Sequence, residues 1–211
     1  MTEDLTAADA SDAPEAVRLD ARSLRGLAHP LRVRLLGLLR QDGPATASGL
    51  AAVVGESSGV TSYHLRQLAA YGFVVDDDAP HASMRERWWK AAHRTTILEL
   101  LPEADAGTQA LVDEYLRSVA GAYADRVLRF ADGITTTREL LGEGWGDLGD
   151  MSDWWLELTP SEAEEVSRRL HAAMAGFVRS DPSRPRRPGS ERVVVQIQVM
   201  PTVTRDEEVA P

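Results

Sequence analysis

The sequence predicts a mainly α-helical fold with small β elements, and three observations point there. A cluster of short amphipathic helices runs from about residue 21 to 71, a hairpin rich in aromatic and basic residues follows, and a long helical repeat then leads to a strand-helix-strand pattern. The centre of the first part is Glu56 to Val74. There Val60, Tyr63 or His64, Leu65, Leu68 and Tyr71 recur at steps of three and four, the spacing of one buried helical face. Ser57 or Ser58 serves as N-cap, and Gly72 stops the helix before the β-prone Phe73-Val74-Val75. The remaining positions, Thr61, Ser62, Arg66 and Gln67 with Tyr63 and His64 at the boundary, carry donors of the size that reach base edges and phosphates from a major groove. Helix, glycine, strand is the order in which a winged helix-turn-helix enters its wing.

The elements before this helix follow in order. Residues 1–20 are acidic and lack aromatics, which predicts a disordered tail. A helix starts near Asp20, and a second starts after His29 with Pro30 in its first turn. Leu31, Val33, Leu35, Leu36, Leu38 and Leu39 make that second helix strongly buried, and Gly43-Pro44 ends it. A third, capped by Thr46 or Ser48, buries Leu50, Val53 and Val54 and turns through Gly55 to Ser57 into the reading helix. After Val75 the aspartate-rich stretch to Ser83 reads as a loop, and Arg85 to Lys90 as the return strand of a wing.

Beyond the wing, residues 95–141 form a linker and a long amphipathic helix from about Thr108 to Phe130. The glycine- and acid-rich stretch 142–153 separates it from the C-terminal unit, which occupies residues 142–211 and ends in a loose tail. In that unit Trp154 to Leu158 is a strand and Thr159-Pro160-Ser161-Glu162 is a capped helix start. Ala163 to Val178 continues as helix, and Val193 to Val199 is a second strand. So small a unit completes its sheet with a neighbour or packs on the long helix.

Charge is distributed unevenly. The 211 residues sum to −10, yet residues 21–94 hold ten basic and six acidic side chains, whereas residues 1–20 hold one and six and residues 95–211 hold twelve and twenty-one. A basic segment in an acidic chain is the asymmetry of a protein with one face on nucleic acid. With no cysteine there is no disulfide framework, thiolate metal site or thiol nucleophile. No apolar run reaches membrane-spanning length and the acidic N-terminus lacks signal-peptide features, so the sequence implies a cytoplasmic protein that does not engage a membrane. It offers no phosphate loop, nucleophile elbow or metalloprotease motif, which points away from an enzyme and implies no cofactor. The histidines stand at no ligand spacing, and His81 beside Asp76, Asp77 and Asp78 is the only cluster with metal-ligand character, which reads first as a solvated wing loop.

LAHPLRVRLLGLL, VTSYHLRQLAAYGFV and a hairpin ending in RWWKAA resemble the winged helix-turn-helix of the ArsR family of bacterial transcriptional regulators, over residues 21–94. The most specific part is Ser62-Tyr63-His64-Leu65 with Leu68 and Gly72-Phe73-Val74. The resemblance implies binding of double-stranded DNA as a homodimer, usually as a repressor, with the long helix at the dimer interface. It places Thr61, Ser62, His64 and Gln67 facing or beside DNA, Arg66 on phosphate, and Arg85 and Arg87 on a wing arm. It does not extend to metal sensing, because the second helix of the motif reads Ala47 to Ala52 without cysteine and the later helix has no histidine before His171. Trp88, Trp89, Trp154 and Trp155 serve either as core and interface or as the wall of a pocket for a small-molecule effector. The alternative to a regulator is a winged-helix scaffold that contacts protein through its acidic C-terminal half.

Overall fold

The computed structural model describes residues 16–79, 86–98, 104–141, 144–145, 149–177, 182 and 186–202. The chain divides into two compact units, Met1–Asp132 with Asp181–Pro185, and Gly133–Ser180 with Arg186–Pro211. The fold is mainly helical, with two small sheets among the described residues, a winged helix-turn-helix with additional helices.

The first unit runs β1 (Ala16–Arg18), α1 (Ala21–Leu27), α2 (Pro30–Asp42), β2 (Ala45–Thr46), α3 (Ala47–Val54), α4 (Ser58–Ala70), β3 (Val74–Asp76), β4 (Trp88–Ala91) and β5 (Thr95–Ile97), then enters α5 (Ala106–Leu141). Each short helix starts on a side chain that accepts a backbone N–H otherwise left open. Asp20 and Ser23 form a capping box on α1, with Ser23 N–H donating to Asp20 Oδ1 at 2.7 Å. Thr46 Oγ1 accepts from Gly49 N–H at 3.1 Å on α3, and His29 Nδ1 accepts from Leu31 N–H at 3.1 Å on α2, with Pro30 at the first position.

Packing then orients these helices. Leu24 and Leu27 of α1, Leu35, Leu36 and Leu39 of α2, Leu50 of α3 and Leu65 and Leu68 of α4 close one core with Phe73, Val74 and Trp89. The wing sheet has order β2-β4-β3, antiparallel throughout, with Ala45 opposite Trp89 and Asp76 also opposite Trp89. Arg40, in the last turn of α2, donates to the His93 carbonyl and to Thr96 Oγ1, both at 2.9 Å, tying the strands to the helix. Burial pushes its guanidinium down to about 10, so it remains charged at neutral pH.

The structure revises several boundaries. β1 lies in the stretch read as tail, and it pairs in parallel with β5, Val17 opposite Thr96; Val17 and Leu19 supply too few apolar side chains for a strand signal, but Leu19 is buried. Residues 1–15 of that stretch lie outside the described residues. Strands β3 and β4 fall one to three residues later than the expected runs, and residues 80–85 of the loop between them, with His81 and Arg85, lie outside the described residues. Val53 is exposed, and Ala51 takes its place beside Leu50 on the buried side of α3. α5 extends from Ala106 to Leu141, with Thr108 N–H capped by Asp105 Oδ1 at 2.9 Å.

In the second unit α6 (Pro160–Ala175) begins as expected, with Thr159 and Glu162 in a capping box and Pro160 at the first position. Neither Trp154–Leu158 nor Val193–Val199 forms a strand. The strand-helix-strand expectation is therefore corrected to a single helix flanked by two irregular runs. A strand exists only where a second backbone accepts its hydrogen bonds, and the described ladders all lie in the first unit.

Two glycines matter to the packing. Gly72 adopts φ +78 at the end of α4, where Gly72 N–H donates to Ala69 O (3.0 Å) and Phe73 N–H to Leu68 O (2.9 Å), the Schellman arrangement. Gly26 lets α1 press on the chain leaving α4: a Cβ there would stand 2.6 Å from Tyr71 Cγ and 2.8 Å from Phe73 Cε2. Gly26→Ala is expected to destabilise the fold by about 1–3 kcal/mol despite the better helix propensity of alanine. Urea denaturation showing equal or higher stability would mean that α1 is free to move away.

Candidate nucleic-acid interface

The relation of α3 to α4 is fixed at both ends of the turn. Gly55 takes the left-handed conformation at φ +77, and its N–H and that of Glu56 return to the Ala51 carbonyl at 3.0 and 3.1 Å. Ser57 then caps α4, accepting from Val60 N–H at 3.2 Å. From α2, Arg34 donates to the carbonyls of Val54 (3.3 Å) and Val53 (3.4 Å), placing a cation on the negative end of α3.

The buried stripe of α4 is Thr61, Leu65 and Leu68, at steps of four and three. This corrects the sequence reading of Thr61. It is fully buried, Val60 is the exposed neighbour, and Tyr63 is 53% exposed rather than buried. With Leu65 and Leu68 seated, a helix of 3.6 residues per turn brings position 61 inward whatever its polarity; hydropathy alone favoured Val60. The Thr61 hydroxyl has no hydrogen-bond partner among the described residues.

What faces outward is therefore Val60, Ser62, Tyr63, Arg66 and Gln67, with Ser62 and Gln67 half-buried. Arg66 Nη1 donates to Ser62 Oγ at 3.3 Å. No Asp or Glu occurs between Ser58 and Ala70. His64 is half-buried on the flank, its ring centroid 4.4 Å from that of His29 and 5.2 Å from that of Tyr63. Burial first, then the neighbouring His29 and Arg32, hold its imidazole below its ordinary pKa, with Glu56 opposing. The structure thus sets His64 against the cap of α2, at the edge of the outward face.

The wing meets α4 at a shallow cavity of about 210 Å³ lined by Ala47, Ser62, Arg66, Glu86, Arg87 and Trp89. Arg87 Cζ lies over the Trp89 ring, 3.9 Å from its centroid, and the guanidinium is paired with Asp76, Nη2 donating to Oδ2 at 2.8 Å. That hydrogen bond, more than any other contact, raises its pKa. Lys90 is paired with Asp77 at 3.1 Å. Arg87 was expected on an open arm, and it is instead held by Asp76, because the β3–β4 register sets Asp76 opposite Trp89. Such an exposed pair is weak, worth about 0–1 kcal/mol, and exchangeable for phosphate. Arg85 lies outside the described residues.

Of the tryptophans, Trp89 is buried and Trp88 half-buried in the wing, while Trp154 and Trp155 belong to the second unit and are exposed. Among the described residues no group of three or more His, Asp or Glu could hold a metal ion, and no helix is long and apolar enough to cross a membrane.

Residues 27–76, from the last residue of α1 to the last of β3, match a family described as a helix-turn-helix domain. No curated protein matches the chain. Among solved structures it is similar to RV1404 from Mycobacterium tuberculosis, at 16% identity over 74% of this chain and 82% of that one, with a TM-score of 0.28. Residues 27–76 thus show both the helix pair and the family match of a helix-turn-helix.

Two outcomes follow from the geometry of α4 and its neighbours. Thr61→Val removes a buried hydroxyl without a partner, so stability should hold or rise by about 1 kcal/mol, and DNA affinity should not change. A weakened DNA complex with an intact fold would return Thr61 to the reading face. The second concerns His29, whose cap requires an unprotonated Nδ1. Burial, then the charge of Arg32, lowers its pKa from the ordinary 6.5, with Glu114 opposing. The folded chain therefore binds this proton less readily than the unfolded chain. Its contribution to stability is complete above 6.5 and is lost as pH falls from there through the folded-state value. In thermal melts across this range, His29→Asn, which keeps a capping acceptor, should lose less stability on acidification than the unaltered chain. An identical pH profile for both would show that the cap does not titrate.

Proposed function

We propose that the chain is a sequence-specific DNA-binding transcriptional regulator of the ArsR type, acting as a homodimeric repressor. The observation that carries this is the outward face of α4: Ser62, Tyr63, Arg66 and Gln67 stand together on a helix without acidic residues, held at a fixed rotation by its buried stripe. Gln67 supplies a bidentate amide suited to an adenine edge, and Arg66 a guanidinium for phosphate or guanine. Ser62 and Tyr63 add shorter-range hydroxyl contacts. Arg87 and Arg85 would meet the backbone from the wing, Arg87 after exchanging Asp76 for phosphate.

Two copies place two such helices in successive major grooves, with half-sites about one helical turn apart. The exposed Leu116, Val127 and Leu128 of α5 support a dimer joined along that helix. The test begins with selection of genomic fragments retained at moderate salt, followed by footprinting of the site found. On that site Gln67→Ala should cost about 1–3 kcal/mol and relax preference at one base position, whereas Arg66→Ala should weaken all sequences alike and reduce the salt slope by about one. Retention that yields no discrete protected site, or variants that bind as the parent does, would remove this reading.

A further inference from the structure

Three groups that carry or can take a positive charge meet where the start of α2 packs on α4. His29 and Arg32 come from the α2 end and His64 from α4. The two imidazoles are half-buried, with ring centroids 4.4 Å apart and planes at 43°. His29 is fixed in this corner, because its Nδ1 accepts from Leu31 N–H and the neutral ring therefore carries its proton on Nε2. His64 is not fixed in this way. Its Nδ1 is buried without a hydrogen-bond partner among the described residues, and ring contacts with His29 and Tyr63 hold it instead.

A neutral imidazole tolerates this seat and an imidazolium does not. Protonated, His64 would bury an N–H donor that has no acceptor, next to a second imidazole and the Arg32 guanidinium. The other charged groups facing the pair are Glu56, just before α4, and Glu114 of α5, while the Tyr63 and Tyr71 phenols face Arg32. Glu56 favours a charge on His64 and Glu114 one on His29. Burial, together with the neighbouring cations, outweighs both carboxylates and holds each ring below its ordinary value. A charged His64 escapes by rotation. It stands on the flank of the outward face, next to the exposed Tyr63, so another side-chain rotamer carries the ring out of the corner while Leu65 and Leu68 keep α4 seated.

We propose that His64 is a proton-operated phosphate contact: neutral, its ring lies against His29; protonated, it turns away from His29 and Arg32 onto the outward face of α4 and binds the DNA backbone. This rests on the DNA-binding role proposed above and adds a regulation to the same face. A backbone phosphate supplies the acceptor that the imidazolium lacks in the corner and favours the charged form. DNA binding therefore takes up a proton. Since His64 holds that proton more tightly in the complex than in the free chain, the affinity gained through it is complete below the free-chain value, itself under the ordinary 6.5, and is lost as pH rises through the value in the complex. One proton limits the change to about tenfold in affinity per pH unit.

The experiment follows the full chain from about pH 8 to about pH 5.5, the range in which histidine titrates, in three forms: unaltered, His64→Gln and His29→Asn. Fluorescence anisotropy of a labelled DNA duplex at fixed salt gives the affinity. Proton NMR gives the titration of each imidazole and the nuclear Overhauser contact between the two rings, and the amides of α2 and α4 report an intact fold. The unaltered chain should bind more tightly as pH falls, and the contact between the rings should vanish as His64 charges. His64→Gln should lose this pH dependence. His29→Asn, which keeps a capping acceptor and removes the neighbouring ring, should keep the dependence and move it to higher pH, a shift that a merely structural His64 would not give. Equal slopes for the unaltered chain and His64→Gln would overturn the proposal, as would a ring contact that survives protonation. Affinity that falls on acidification would replace it with a pair whose charging loosens α4. A backbone contact is blind to sequence, so a generic duplex reports the same slope. If footprinting finds no discrete site, the regulator reading fails while the slope and the ring contact still decide the role of His64; a chain that binds no duplex at any pH removes both.

Discussion

Burial of one stripe of α4, Thr61, Leu65 and Leu68, is the constraint on which the rest of the first unit depends. A helix has one rotational freedom about its axis, and seating three side chains removes it. Two fully buried leucines contribute roughly 1.5–3 kcal/mol each, against about 1 kcal/mol for the Ser57 cap. Packing therefore decides which way the helix faces, and capping decides where it begins. The supporting contacts serve the same seat: Gly26 admits Tyr71 and Phe73 against α1, Arg34 holds the end of α3, and Gly72 turns the chain so that Phe73 closes over Leu68. The outward set of Ser62, Tyr63, Arg66 and Gln67 is the complement of this seat.

Electrostatics work at a different scale. The chain as a whole is strongly acidic, at −10, but a field that matters to a polyanion is set within about a Debye length of the contact, roughly 8–10 Å. α4 itself carries no carboxylate between Ser58 and Ala70, Glu86 shares the cavity of Ser62 and Arg66, and the wing beside it carries Arg87 and Lys90 matched by Asp76 and Asp77. The cations Arg87 and Lys90 are thus held by the aspartates and are freed only when a stronger anion displaces them.

Much of this was legible in the sequence, and the failures share one cause. Helix ends were readable because caps are local: Asp20, Pro30, Thr159 and Glu162 act within three or four residues of themselves. The reading helix was readable because Leu65, Leu68 and Gly72 lie within one turn or two. What could not be read depends on partners distant along the chain. Thr61 looked like a surface hydroxyl until Leu65 and Leu68 were seated on α1, α2 and α3. Arg87 looked free until strand register brought Asp76, eleven residues away, beside it. His64 read equally as a phosphate contact or a partly buried histidine, and only the fold shows it half-buried with its ring against that of His29. The β propensity of residues 154–158 and 193–199 is likewise real, but pairing is a property of two backbones and no single run encodes its partner.

That last point extends to α5. Its first third is anchored, with Val112 and Ser118 buried and Leu111 and Tyr115 packed on the core. Beyond Ser118 none of its described side chains is buried. Most helices in proteins owe their persistence more to an apolar face packed on something than to propensity. The distal part of α5 leaves Val127, Leu128 and Leu140 open, so it is the anchored first third, packed on the core, that fixes where the helix starts and how it is turned.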